Sequence, residues 1–224
     1  GLEDFSPMSA GVCGLITTAA PVMTHVSVLK TSKTLGEILV RWSRPVNIDT
    51  VLYPGPYRYQ LKRAESISSV DLKAIGSLLT DTVWVDKGLN TLEKGYRYQV
   101  DVFYTKNQNW ELLDSPSPAS SVRLQGNAAG KTIKLSWEAN VPWNNNFQVH
   151  RIYRARPNGV FNQINEISVA DPSSFQYTDL GVDFVTADGK YDVSISTDST
   201  YAYYVETVGE YARPLWAKGL VNAS

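Results

Sequence analysis

Hydrophobic residues in this chain recur at every second position over short runs, and turn-forming residues cut the runs at intervals of roughly 8–12. Ile38, Val40 and Trp42 fall on one side of the alternation, while Leu39, Arg41 and Ser43 fall on the other. Ile133, Leu135 and Trp137 likewise oppose Lys134, Ser136 and Glu138, and Tyr96, Tyr98, Val100 and Val102 oppose Arg97, Gln99, Asp101 and Phe103. One apolar side against one mixed side predicts antiparallel strands packed on a single face. The breaks fall at Arg44-Pro45, Pro54-Gly55-Pro56, Gly88-Leu-Asn90, Ser115-Pro-Ser-Pro118, Asn127 to Gly130, Pro157-Asn-Gly159 and Asp171-Pro172. One stretch departs from this pattern: Val70, Leu72, Ile75, Leu78 and Leu79 are spaced as a helical stripe, which predicts a short helix over 68–79.

The runs repeat. Glu37-Ile-Leu-Val-Arg-Trp42 returns as Thr132-Ile-Lys-Leu-Ser-Trp137, and Tyr59-Gln-Leu-Lys-Arg-Ala64 returns as His150-Arg-Ile-Tyr-Arg-Ala155. Trp84-Val-Asp-Lys-Gly-Leu89 has a counterpart in Gln176-Tyr-Thr-Asp-Leu-Gly181, and Tyr96-Arg-Tyr-Gln-Val100 in Tyr201-Ala-Tyr-Tyr-Val205. Four blocks in one order at near-constant spacing are two copies of one unit. The last offset is longer, and the added residues include Asp188-Gly189, a hairpin-turn signal. The expected architecture is all-β: an irregular leader over 1–20, which reads as the tail of a preceding region, then two β-sandwiches in tandem over 21–121 and 122–224. The junction near Ser120 to Val122 is short, which predicts an elongated rod whose seam is made by strand-end loops.

Composition narrows the chemistry. The formal charge of −1 excludes the basic excess of a nucleic-acid binder, and a single Cys excludes an internal disulfide framework or a thiolate zinc site. Two His far apart do not make a histidine metal centre. His150 takes the place of Tyr59 in the repeat, so it reads as a replaced core aromatic, and His25 lies on the first strand with no ligand partner at useful spacing. Cys13 reads as a partner for a Cys upstream. Gly1, with no basic stretch behind it, reads as a cleavage scar or the start of an excised piece. No run is long enough to insert in a membrane. The carboxylate pairs Asp81 with Asp86, Asp179 with Asp183, and Asp188 with Asp192 sit where Asp caps turns, and the 183–192 stretch lacks the ligand alternation of a calcium loop. Arg63 and Arg154 read as solvated strand ends or seam ion pairs. Asn222-Ala-Ser224 has the form of a glycosylation sequon and reads as chance. No phosphate loop, dinucleotide fingerprint or nucleophile elbow is present.

The run Leu92-Glu-Lys-Gly-Tyr-Arg-Tyr98-Gln-Val100-Asp-Val102 resembles the fibronectin type III pattern Leu-x-Pro-Gly-x-x-Tyr-x-Val-x-Val, with Lys94 in place of the Pro. The resemblance implies immunoglobulin-like sandwiches, a core Trp at Trp42 and Trp137, and a Tyr98 hydroxyl that reaches back to upstream backbone. Tyr203 holds the equivalent place in the second copy, where Thr197 replaces the Leu. The expected structural core is therefore Trp42, Tyr98, Trp137 and Tyr203. A narrower likeness lies in Gly36-Glu-Ile-x-Val-x-Trp42, Val141-Pro-Trp-Asn-Asn145 and the Tyr204 to Tyr211 run. These are similar to fibronectin-type repeats of large secreted Bacteroidetes proteins termed gliding-motility-associated and exported by the type IX system. That likeness implies an extracellular or cell-surface location.

The expectation for function is a non-catalytic spacer or adhesion pair, without a cofactor or a catalytic residue. Its partners would be neighbouring domains of the same polypeptide, and a surface protein or glycan. The alternative is an accessory carbohydrate-binding pair of a secreted polysaccharide-acting enzyme. The candidate interface or ligand contacts are Trp143 and Asn144, in a loop after the second copy's Trp strand, and Trp110, in the hairpin after the tyrosine strand. A Trp beside Asn can stack on a sugar ring or anchor a partner.

Overall fold

The computed structural model describes residues 21–46, 48–143, 148–155, 159–169, 175–181, 195–211 and 220–224, and every regular element among them is a β-strand. The expected leader with Cys13, the Asp188-Gly189 turn and Asn144 lie outside the described residues. The first half contains β1 (Met23–Lys30), β2 (Gly36–Trp42), β3 (Arg58–Ala64), β4 (Lys73–Ala74), β5 (Val83–Leu89), β6 (Arg97–Lys106), β7 (Asn109–Asp114) and β8 (Ala119–Ser120). The second contains β9 (Arg123–Ala129), β10 (Thr132–Glu138), β11 (Val149–Ala155), β12 (Phe161–Ser168), β13 (Gln176–Asp179), β14 (Tyr203–Gly209) and β15 (Leu220–Ala223).

Four antiparallel sheets result. In the first half β1-β2-β5 faces β4-β3-β6-β7, with β8 added beside β6; in the second, β9-β10-β13 faces β12-β11-β14-β15. The alternation read from the sequence decides which side chains meet between the sheets. Met23, Val26, Ile38, Val40 and Trp42 from one sheet pack on Tyr59, Leu61, Tyr98, Val100 and Val102 from the other. Leu135 and Trp137 pack in the same way on Ile152, Ile164 and Val205. Trp42 meets Tyr59 edge to face at 5.7 Å, and Trp137 meets His150 edge to face at 5.3 Å. The outcome is sandwich-like, with one core per half.

The helix expected over 68–79 does not form. β4 pairs there with β3, Ile75 N donates to Leu61 O at 2.9 Å, and Leu79 N donates to Tyr59 O at 2.8 Å. The open edge of β3 offers backbone partners, whereas an isolated helix of this length is marginal in water. The apolar spacing that suggested a helix is not all buried: Val70 is 87% exposed, while Ile75 and Leu79 reach the core.

Both Trp residues fill space between two sheets. Trp42→Ala and Trp137→Ala are each expected to destabilise their own half by about 3–5 kcal/mol in urea melts followed by fluorescence. A loss below about 1 kcal/mol at either site would contradict this packing.

Candidate functional site

Two buried charge clusters occupy equivalent places. Arg63 on β3 donates to Oδ2 of Asp86 on β5 at 2.9 Å, and the Tyr98 hydroxyl on β6 donates to the same oxygen at 2.9 Å. In the second half Arg154 on β11 donates to Oδ2 of Asp179 on β13 at 2.8 Å, and the Tyr203 hydroxyl on β14 donates to it at 2.8 Å. Gly181 N completes the set by donating to Asp179 Oδ1 at 2.7 Å. Arg63 and Arg154 are thus not solvated strand ends. The alternation that turns Tyr59 and Leu61 inward carries Arg63 inward too, and His150 and Ile152 do the same for Arg154. Burial, and then the neighbouring carboxylate, raise the pKa of both tyrosines, so both hydroxyls stay protonated donors. In each cluster one carboxylate oxygen accepts from two strands of the opposite sheet, which clasps the two sheets together.

The backbone-directed hydroxyl lies two residues earlier than the resemblance implies. Tyr96 OH accepts from Asn90 N at 2.9 Å, and Tyr201 OH accepts from Ser196 N at 2.7 Å. The hydroxyls of Tyr98 and Tyr203 go to carboxylates, the stronger acceptors. The guanidinium groups also lie over the rings of the earlier tyrosines, Arg63 over Tyr96 at 5.8 Å and Arg154 over Tyr201 at 5.6 Å.

The tryptophans proposed as contacts separate. Trp110 lies on β7 opposite Thr105 and is 40% exposed, with the Arg58 guanidinium 5.4 Å from its ring. Trp143 is only 4% exposed. It packs so closely on Gly209 that a Cβ there would stand 3.0 Å from the indole, and it neighbours Tyr211. It plugs the second half and offers no ring face to solvent.

A different aromatic surface is present. On the outer side of β11, β12 and β14, Tyr153 stacks on Tyr204 with centroids 4.3 Å apart, and Phe161 meets Tyr204 at 4.8 Å. Polar groups border the rings: the Tyr153 hydroxyl donates to Glu206 Oε2 at 2.9 Å, and Arg151 pairs with Glu166 at 2.8 Å. The carboxylate and burial push the Tyr153 pKa up to about 12, burial being the larger cause. The signal was in the repeat. Tyr153 and Tyr204 stand where the first copy has Lys62 and Gln99, in the outward phase, where core packing asks for no ring.

The halves meet along β1 and β15. The Asn222 side chain accepts at Oδ1 from Val26 N at 2.5 Å and donates from Nδ2 to Ser120 O at 2.9 Å. Ala223 N donates to Ser27 Oγ at 3.3 Å, and the Tyr211 hydroxyl donates to Met23 O at 2.8 Å. First and last strands therefore build most of the seam expected from strand-end loops. The sequon asparagine is fully buried, with both amide atoms engaged. A cleft of about 270 Å³ opens beside the seam, between Thr91 and Leu92 on one side and Leu124, Leu135, Tyr201 and Tyr203 on the other. Among the described residues, no group of three or more His, Cys, Asp or Glu could hold a metal ion.

With this geometry in view, the chain was compared with known proteins. It matches no protein-family model and no curated protein.

His150 is a further titratable group in a core. It is fully buried between Trp137 and Phe175, and among the described residues neither ring nitrogen has a hydrogen-bond partner. Burial pushes its pKa down to about 4 from the ordinary 6.5. The unfolded chain therefore takes up a proton that the folded chain refuses. The His150 contribution is complete above pH 6.5 and declines as pH falls towards 4, a loss of about 3 kcal/mol. His150→Phe is expected to remove this slope from denaturation midpoints measured between pH 6.5 and 4. An unchanged slope would show that another group carries it. For the charge clusters, Asp179→Ala removes the buried carboxylate that Arg154 and Tyr203 share and is expected to cost about 3–5 kcal/mol in urea melts. Asp86→Ala is expected to cost less, since the Arg63 side chain is 23% exposed against 4% for Arg154.

Proposed function

We propose that the chain is a non-catalytic pair of fibronectin type III-like sandwiches, 21–121 and 122–224, in a secreted or cell-surface protein. In this reading it acts as one fixed unit that contacts another protein and sets the spacing of its neighbours. The strand orders support the family assignment: each half pairs a three-stranded sheet with one built around a central β3-β6 or β11-β14 pair. The observation that carries the functional reading is the seam. Two independent cores joined by a linker would tumble separately, whereas here Asn222 bonds the first strand and the junction at once. Location and external partner rest on the fibronectin and gliding-associated likenesses alone.

Spin labels at Lys73→Cys and Lys134→Cys, in a Cys13→Ser background, test the fixed relation because both sites are exposed and lie in different halves. A single narrow distance distribution is expected. A broad one would replace the fixed unit with two loosely tethered modules.

One observation favours the carbohydrate-binding alternative, the outward Tyr153, Tyr204 and Phe161 rings with hydrogen-bonding groups beside them. Aromatic faces pack on the apolar side of a sugar ring while the neighbouring polar groups meet its hydroxyls. Under the protein-contact reading, a panel of immobilised polysaccharides stays unbound. Retention on one of them that is lost in Tyr204→Ala would put the glycan reading first.

A further inference from the structure

We propose that the free edge of β9 takes up an extended segment of a partner protein in which aliphatic and acidic residues alternate. The inference rests on the protein-contact reading above and names the place and chemistry of that contact. β9 ends its sheet, so alternate residues turn backbone N–H and C=O groups away from β10, and no described strand lies beside them. It pairs with β10 over all 7 of its residues without a register shift, and Leu124 to Ala129 carry no charge. Other outer strands have features that discourage such pairing. β4 and β13 are short, β5 carries Asp86 and Lys87, and β7 and β12 each combine a glutamate with an irregular register. In the first half the matching edge, β1, is covered, because Asn222 and Ala223 of β15 reach Val26 and Ser27.

The cleft beside the seam lies against this edge, and the repeat accounts for it. Val26 pairs with Val40 in the first half, and at the equivalent register Gly126 pairs with Leu135 in the second. Val26 is fully buried, whereas Gly126 and Ala128, in the same inward phase as Leu124, are exposed. A glycine inside a strand marks a bulge, a bend, or the close approach of a ligand or another backbone. The unbroken register removes the bulge. The space at Gly126 opens into the cleft of about 270 Å³, which Leu124, Leu135 and Tyr203 also line. That volume is below the roughly 300–1,000 Å³ of sites that enclose a drug-sized ligand, and it suits one or two aliphatic side chains. On the outer face of the same hairpin, Lys134 stands opposite Asn127, and Lys131 lies at the turn. Both lysines are exposed, and among the described residues neither forms an ion pair. A strand added to β9 sends alternate side chains to opposite faces. Aliphatic residues suit the set that enters the space at Gly126, carboxylates suit the set that passes the lysines, and the backbone ladder holds the segment in place.

The probes are a short end-blocked peptide that alternates Glu with Val and Leu, and its counterpart with Lys in place of Glu, each added to the full chain. By titration calorimetry the acidic peptide is expected to bind about ten-fold tighter than the basic one. At saturation it is expected to slow hydrogen exchange at alternate β9 amides by about ten-fold. Gly126→Val fills the space and is expected to weaken binding by about ten-fold. A Cβ at this position stands 3.4 Å from Leu135 Cδ2, so the core has little to rearrange. Lys134→Glu changes an exposed side chain, is expected to weaken binding by about three-fold, and keeps the test open if Gly126→Val does not fold. Equal binding of the two peptides, or no protection at β9, would overturn the proposal. Protection at a different strand edge would overturn it too, while leaving the protein-contact reading in place. Polysaccharide retention that is lost in Tyr204→Ala would instead remove that reading through another face, so the two failures are distinguishable.

Discussion

A carboxylate placed between two β-sheets loses its water and has to find donors within the protein. Asp86 and Asp179 each find them on the opposite sheet, from one arginine and one tyrosine. That requirement ties β5 to β3 and β6, and β13 to β11 and β14. Hydrophobic burial alone would let two sheets slide over one another, because contact between apolar faces is non-directional. Three polar groups with fixed reach and angle do not slide. The register of each sandwich, and with it the outward or inward aim of every neighbouring side chain, depends on these clasps.

The two halves meet the same demand to different depths. The second-half pair is almost wholly enclosed, with Arg154 and Asp179 side chains 4% and 1% exposed. Its core places an imidazole, His150, where the first half has a phenol, Tyr59. A neutral His between Trp137 and Phe175 packs as an aromatic, but among the described residues its ring nitrogens have no partner to hold a charged form. The second half thus depends more on ionisation states than the first. The two halves therefore differ in their response to acid, because burial lowers the His150 pKa in the second.

Local pattern made the strands legible and long-range partnership did not. Period-two alternation was enough to turn Trp42, Trp137, Tyr98 and Val100 inward, because burial of one face is decided strand by strand. The same phase carries Arg63 and Arg154 inward, so reading them as solvated strand ends or seam ion pairs gave their charge more weight than their position in the strand. The stripe in 68–79 misled because a free strand edge, invisible in local spacing, offered the backbone a better partner than a helix. Tyr153 and Tyr204 were readable as outward rings once the copies were aligned, but alternation within one strand does not show that rings from β11, β12 and β14 meet. Asn222 could not be found at all from spacing. Its partner Val26 is 196 residues away, and a buried amide joining two edges leaves no periodic trace.

A short junction was expected to set the shape of the pair, but a junction limits only how far two bodies can separate. It does not choose the angle at which they rest, since many orientations share one short tether. Contacts remote in sequence make that choice. Here they come from the two strands at opposite ends of the described chain: Val26 and Ser27 on β1 meet Asn222 and Ala223 on β15, and the Tyr211 hydroxyl reaches Met23 O. Apolar contact is non-directional and would leave many orientations open, whereas hydrogen bonds have a fixed reach and angle. The polarity of the seam is therefore what makes the relation between the halves specific.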